Sequence, residues 1–121
     1  MPTRILDHVS VRIAELRRSR EFYEGILGLR PAERPDLGIP GMWYDLGVGQ
    51  LHLIQSADIR TVAGGIDPTD MHFAFQVEDL DAMRQRLKGA GIEMLDFGGD
   101  QLWVRDPDGN TVELRTRAGT P

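Results

Sequence analysis

His8-Val9-Ser10-Val11-Arg12-Ile13-Ala14-Glu15-Leu16 and His72-Phe73-Ala74-Phe75-Gln76-Val77-Glu78-Asp79-Leu80 repeat one pattern at an offset of 64 residues in a chain of 121. In each copy a histidine opens a run in which polar and apolar side chains alternate with period two, the signature of a half-buried β-strand. Each run then passes into an amphipathic helix. In the first copy Leu16, Phe22, Tyr23, Ile26 and Leu27 recur at helical spacing among Arg17, Arg18, Arg20, Glu21 and Glu24, and Gly25 and Gly28 mark the end. In the second, Leu80, Met83 and Leu87 form the stripe, which stops near Gly89 and Gly91.

The repeat extends outward from these segments. The first strand covers about Ile5 to Ile13, and Leu29 to Glu33, Met42 to Leu46 and Gln50 to Gln55 follow the helix as strands, separated by the turn-rich residues 35–41 and 47–49. In the second half Met71 to Val77 leads the helix; Ile92 to Phe97, Leu102 to Arg105 and Thr111 to Arg115 follow it. Asp106-Pro107-Asp108-Gly109 is a turn signal, with Pro presetting one dihedral and Gly tolerating a positive φ. Leu51-His52-Leu53 pairs with Val112-Glu113-Leu114 at an offset of 61. The order βαβββ therefore occurs twice, which predicts an α+β protein with pseudo-twofold symmetry: one domain over 1–121, made of module 1 (about 4–56) and module 2 (about 70–117). Residues 56–70, with Gly64, Gly65 and Pro68, read as a surface connection.

Composition narrows the function. Forty per cent apolar residues suffice for a core, and a net charge of -5 provides no basic face for nucleic acid or an anionic membrane surface. The absence of cysteine excludes disulfides, thiolate nucleophiles and sulfur-ligated metals. No apolar run has signal-peptide or membrane-spanning length, so the expected location is the cytoplasm.

All three histidines fall in strand segments with apolar neighbours, and strand alternation turns them to the face opposite those neighbours. Glu113, between Val112 and Leu114, obeys the same rule. The repeat sets His8 opposite His72 and His52 opposite Glu113, so four side chains suited to one divalent ion (Zn, Ni, Fe(II), Mn or Co) are expected in one polar cleft, with coordination positions left for a substrate carrying two adjacent oxygens. Arg12 and Arg115 share the same polar face and are candidate contacts for an anionic substrate. Trp43 and Trp103, at nearly equivalent places in the repeat, are candidates to stack on a planar ligand. Gln50, Gln55 and Gln76 are further polar strand residues.

Phe22-Tyr23-Glu24-Gly25-Ile26-Leu27-Gly28-Leu29, the paired βαβββ units and the stretch from Asp106 to Leu114 resemble the vicinal oxygen chelate superfamily, which includes glyoxalase I, extradiol dioxygenases, methylmalonyl-CoA epimerase, fosfomycin-resistance enzymes and bleomycin-binding proteins. The resemblance implies two modules forming a curved mixed sheet around a metal cleft, helices on the outer face, and metal ligands at His8, His52, His72 and Glu113. It also implies a homodimer with clefts shared between subunits and a small-molecule substrate.

Within that resemblance a glyoxalase-type isomerase or lyase is the leading expectation, with Glu113 moving a proton on the substrate. His52 stands where a second acidic ligand is expected, which weighs against a symmetric two-base mechanism. An extradiol-type dioxygenase matches at His8, His72 and Glu113, as does a fosfomycin-type thiol transferase, with Ser10 as its hydroxyl residue and Arg12, Arg105, Arg115 or Arg117 as cations for a phosphonate. A metal-free, bleomycin-resistance-like binding protein is the alternative of a different class.

Overall fold

In the computed structural model, which describes residues 4–59 and 64–116, the chain divides into two compact units, Met1–Arg60 and Thr61–Pro121, each carrying one copy of the repeat. Thr3 and the residues before it, residues 60–63 of the connection, and the segment from Arg117 onward lie outside the described residues.

In the first unit β1 (His8–Ile13) leads into α1 (Leu16–Arg20), and the helix continues as a π-helical segment, Glu21–Ile26. β2 (Arg30–Ala32), β3 (Gly41–Asp45) and β4 (Gln50–Gln55) complete a four-stranded sheet of order β1-β4-β3-β2. β1 runs parallel to β4 and the other pairs are antiparallel. The sequence periodicity predicts one uniform helix to Gly28, whereas the second half is wound more widely, with the Leu27 N–H donating to the Phe22 carbonyl at 3.0 Å. The wider turn lets two consecutive aromatics, Phe22 and Tyr23, both reach the core, where their rings meet edge to face.

The second unit reproduces this plan. β5 (His72–Gln76), α2 (Leu80–Gly89), β6 (Leu95–Asp96), β7 (Gln101–Arg105) and β8 (Thr111–Arg115) form a sheet of order β5-β8-β7-β6, with β5 parallel to β8. The fold is thus α+β, two repeated modules with one mixed four-stranded sheet each. β6 is shorter than Ile92 to Phe97 because the chain leaves α2 through a bond from the Ile92 N–H to the Leu87 carbonyl and turns again where Asp96 accepts from the Gly98 N–H.

One face of each sheet is apolar and carries the helix. Leu51, Leu53 and Tyr44 are buried with Tyr23 and Phe22; Leu102, Val104, Val112 and Leu114 are buried along with Leu80 and Leu87 of α2. Arg84 ties α2 to β6 through Asp96 at 2.8 Å and to the Gly99 carbonyl at 2.6 Å. Gln55 belongs to this helix side, accepting from the Leu16 N–H at 3.0 Å. No helix among the described residues is long and apolar enough to cross a membrane.

The buried Tyr44 hydroxyl donates to Glu24 at 2.8 Å, and Arg20 clamps the same carboxylate. Burial first, then the Glu24 carboxylate, raises the Tyr44 phenol above its ordinary value of 10.0. The fold therefore favours the neutral phenol, and this contribution is complete below pH 10 and is lost as pH rises beyond it. Tyr44→Phe is expected to lower stability at pH 7 by about 1–2 kcal/mol and to flatten the alkaline limb of a stability-versus-pH curve measured by urea unfolding.

Candidate metal and substrate site

The face opposite the helices carries the candidate site residues. In the first unit it holds His8, Ser10 and Arg12 of β1, Gln50 and His52 of β4, and Trp43 of β3, with Ser10 and Trp43 as the strand partners of His52. Three rings stack there: His52 lies 4.2 Å from Trp43 with 5° between planes and 4.2 Å from His8 with 15°. His8 Nδ1 sits 2.7 Å from Asp7 Oδ2, so that Nδ1–H donating to the carboxylate leaves the Nε2 lone pair for a metal. His52 is 8% exposed, and its Nε2 is 2.8 Å from Gln50 Oε1. Burial first, then the nearby His8 and Arg34, push the His52 imidazole below its ordinary value of 6.5, which keeps it neutral.

In the second unit the equivalent pair is in direct contact. His72 Nε2 stands 3.0 Å from Glu113 Oε1, and His72 Nδ1 stands 2.8 Å from the Asp70 carbonyl oxygen. Donation from Nδ1 to that carbonyl fixes the orientation of the ring and aims Nε2 at Glu113. Two ligand atoms bound at about 2.1 Å with a right angle between them lie about 3.0 Å apart, so the His72 and Glu113 atoms already have the spacing of neighbouring ligands. Glu113 is buried, and its other oxygen accepts from Arg115 Nη1 at 3.2 Å.

The register shows the repeat at atomic scale. His8 is the strand partner of Gln50, two residues before His52, and His72 is the partner of Thr111, two residues before Glu113. Trp43 is the partner of His52 and Trp103 of Glu113. Among the described residues no three or more His, Asp or Glu side chains gather into a group that could hold a metal ion; the candidates stand as two pairs, His8 with His52 and His72 with Glu113.

The remaining candidates have their own partners. Arg12 Nη1 donates to Asp58 at 3.3 Å, and Arg105 donates to the Gly64 and Gly65 carbonyls at 2.8 and 2.6 Å, anchoring that end of the connecting segment. Arg117 lies outside the described residues. Trp103 packs edge to face with Phe97, and its indole N–H is buried without a partner among the described residues. Reading along the sequence misses Asp7 and the Asp70 carbonyl, the groups that orient the two strand-opening histidines. Asp7 and Asp70 each stand within two residues before a strand-opening histidine, a local signal that period-two reading ignores. Arg34, whose charge reaches His52, carries no such signal.

A duplicated βαβββ module with a His–His pair in one copy and a His–Glu pair in the other defines a paired-module protein with nitrogen and oxygen donors on its open sheet faces. Residues 5–114 match the family profile, and the chain belongs to the Glyoxalase/Bleomycin resistance protein/Dioxygenase superfamily, the vicinal oxygen chelate group. It is 33% identical over 120 residues to Glyoxylase I 4 of Arabidopsis thaliana, covering 90% of this chain and 68% of that protein. It is 30% identical over 115 residues to the glutathione transferase FosA of Serratia marcescens, covering 90% and 78%. Among solved structures, a glyoxalase family protein from Bacillus anthracis superposes with a TM-score of 0.78 at 26% identity, covering 97% of this chain and 99% of that one.

Proposed function

We propose that this protein is a divalent-metal-dependent enzyme of glyoxalase type, an isomerase or lyase acting on a small substrate with adjacent oxygens, in which His8, His72 and Glu113 hold the ion together with His52. The observation that carries this reading is the 3.0 Å approach of His72 Nε2 to Glu113 Oε1, with Nδ1 facing the Asp70 carbonyl. When bound, such an ion polarises a substrate oxygen and makes the neighbouring C–H more acidic. Glu113 is suited to take that proton, because Arg115 anchors one carboxylate oxygen while the other faces the open side beside His72 Nε2. His52 is the fourth donor through Nδ1, or through Nε2 if Gln50 swings away.

Metal analysis of protein purified without a histidine tag tests the reading, with about one ion per chain expected for such a centre and a value near zero overturning it. A second reading, a metal-dependent thiol transferase, is supported by the likeness to FosA and to the metallothiol transferase FosB of Shouchella clausii, and by Ser10 as the strand partner of His52. Incubating the metal-loaded protein in D2O with 2-oxo and 2-hydroxy acids separates the two. Solvent deuterium in recovered substrate supports proton transfer; thiol consumption with fosfomycin and no exchange supports the transferase.

A further inference from the structure

Of the two half-buried arginines without a carboxylate hydrogen-bond partner among the described residues, Arg105 commits two nitrogens to the Gly64 and Gly65 carbonyls, whereas Arg34 commits one. Arg12, Arg20, Arg84 and Arg115 each face an aspartate or glutamate. Arg34, half-buried between β2 and β3, has no carboxylate partner among the described residues; its one hydrogen bond there runs from Nη2 to the Ile39 carbonyl at 2.7 Å. Its Nε–H is buried and unmet among the described residues. A guanidinium partly withdrawn from water with no counter-charge is electrostatically unsatisfied, and its planar array of donors matches an oxyanion better than it matches any neutral group.

The surroundings hold this cation in place. A Cβ at Gly41 would come within 2.8 Å of Arg34 Nη2 and 3.1 Å of Cζ and would collide with the Leu53 carbonyl, so the guanidinium lies against the backbone where β3 begins. Two residues further along that strand is Trp43, whose indole stacks on His52. The Arg34 charge is also felt at His52 itself. The cation thus stands beside the ring stack on the open side of the first sheet, in a chain whose net charge is -5.

We propose that Arg34 is the recognition residue for an oxyanion carried by the substrate, a carboxylate or a phosphonate or phosphate group lying beyond the oxygens that meet the metal. The assignment rests on the reading that this sheet face is the substrate side. It restricts the substrate to small acids and disfavours neutral aldehydes and ketones of similar size. Pinning the loop to the Ile39 carbonyl is a second role for Arg34, and the two are separable, because loss of a loop contact changes stability without discriminating between charged and neutral ligands.

Isothermal titration of the full-length protein, both EDTA-treated and zinc-saturated, with malonate, inorganic phosphate and the neutral malonamide tests this. Saturable binding of malonate or phosphate and none of malonamide is expected, the tighter of the two anions identifying the oxyanion class. Arg34→Gln should weaken that binding at least tenfold, about 1.4 kcal/mol, with Arg34→Lys intermediate and the exposed control Arg30→Gln within about twofold. Unchanged anion affinity in Arg34→Gln, equal binding of malonamide, or no anion binding by the unmutated chain overturns the assignment. Near-UV circular dichroism checks folding, and if Arg34→Gln misfolds the Lys variant decides. Oxyanion binding through Arg34 in a chain that takes up no zinc would sink the metal reading alone; zinc uptake with anion affinity indifferent to Arg34 would sink this proposal alone.

Discussion

His72→Ala should leave the purified protein with almost no bound divalent metal, against about one ion per chain in the unmutated form. The expected loss is large because His72 supplies the Nε2 that stands 3.0 Å from Glu113 Oε1, and no other histidine lies in the second unit to replace it. Truncation also strands Glu113 as a buried carboxylate with Arg115 as its remaining hydrogen-bond partner among the described residues. Asp7→Asn, which weakens the acceptor orienting His8 without touching a ligand, should lower metal affinity by roughly 10–100-fold, the usual range for such supporting groups. His52→Ala should cost less than His72→Ala, since the Nε2 of His52 is already engaged by Gln50. Elemental analysis of the variants, purified and dialysed alike, gives the order; full metal content in His72→Ala would defeat the proposed centre.

Asp106→Ala is the substitution expected to cost most in stability outside the hydrophobic core. The buried Asp106 carboxylate accepts from the Asp108 N–H at 2.9 Å, the Asn110 N–H at 2.8 Å and the Asn110 side-chain amide at 2.8 Å. It closes the turn in which Gly109 adopts φ 87°, a region that favours glycine. Removing the acceptor leaves several donors inside the turn unmet, which together amounts to roughly 3 kcal/mol, or a fall of about 10 °C or more in Tm. Scanning calorimetry measures it directly. Because this turn sets β7 against β8 in the register that opposes Trp103 to Glu113, the variant should also weaken metal retention below its melting temperature. A Tm within about 2 °C of the unmutated protein would show the turn to be held by its backbone alone.

The strand alternation, the two helices and the twofold repetition are all legible along the chain, because each rests on interactions between residues a few positions apart. His8 and His72 could be matched by counting, and so could His52 and Glu113, since a duplicated unit preserves the spacing of its polar face. The π-helical winding at Phe22 and Tyr23 was not legible: it answers to the core those rings enter, and helical periodicity describes only the helix that carries them.

Site chemistry divides in the same way. Residue types and spacing along the chain were enough to point to nitrogen and oxygen donors on an open sheet face. The tertiary structure alone decided that the two candidate residues of each unit are staggered by two residues across a parallel strand pair. It also decided that Nδ1 of His8 and of His72 is taken by Asp7 and by the Asp70 carbonyl, and that an arginine from the β2–β3 segment lies beside the stacked rings. Such facts depend on register and on loops that return to the sheet. A one-residue slip would send every one of these side chains to the opposite face, and only the closed turns and the packed helix side prevent it.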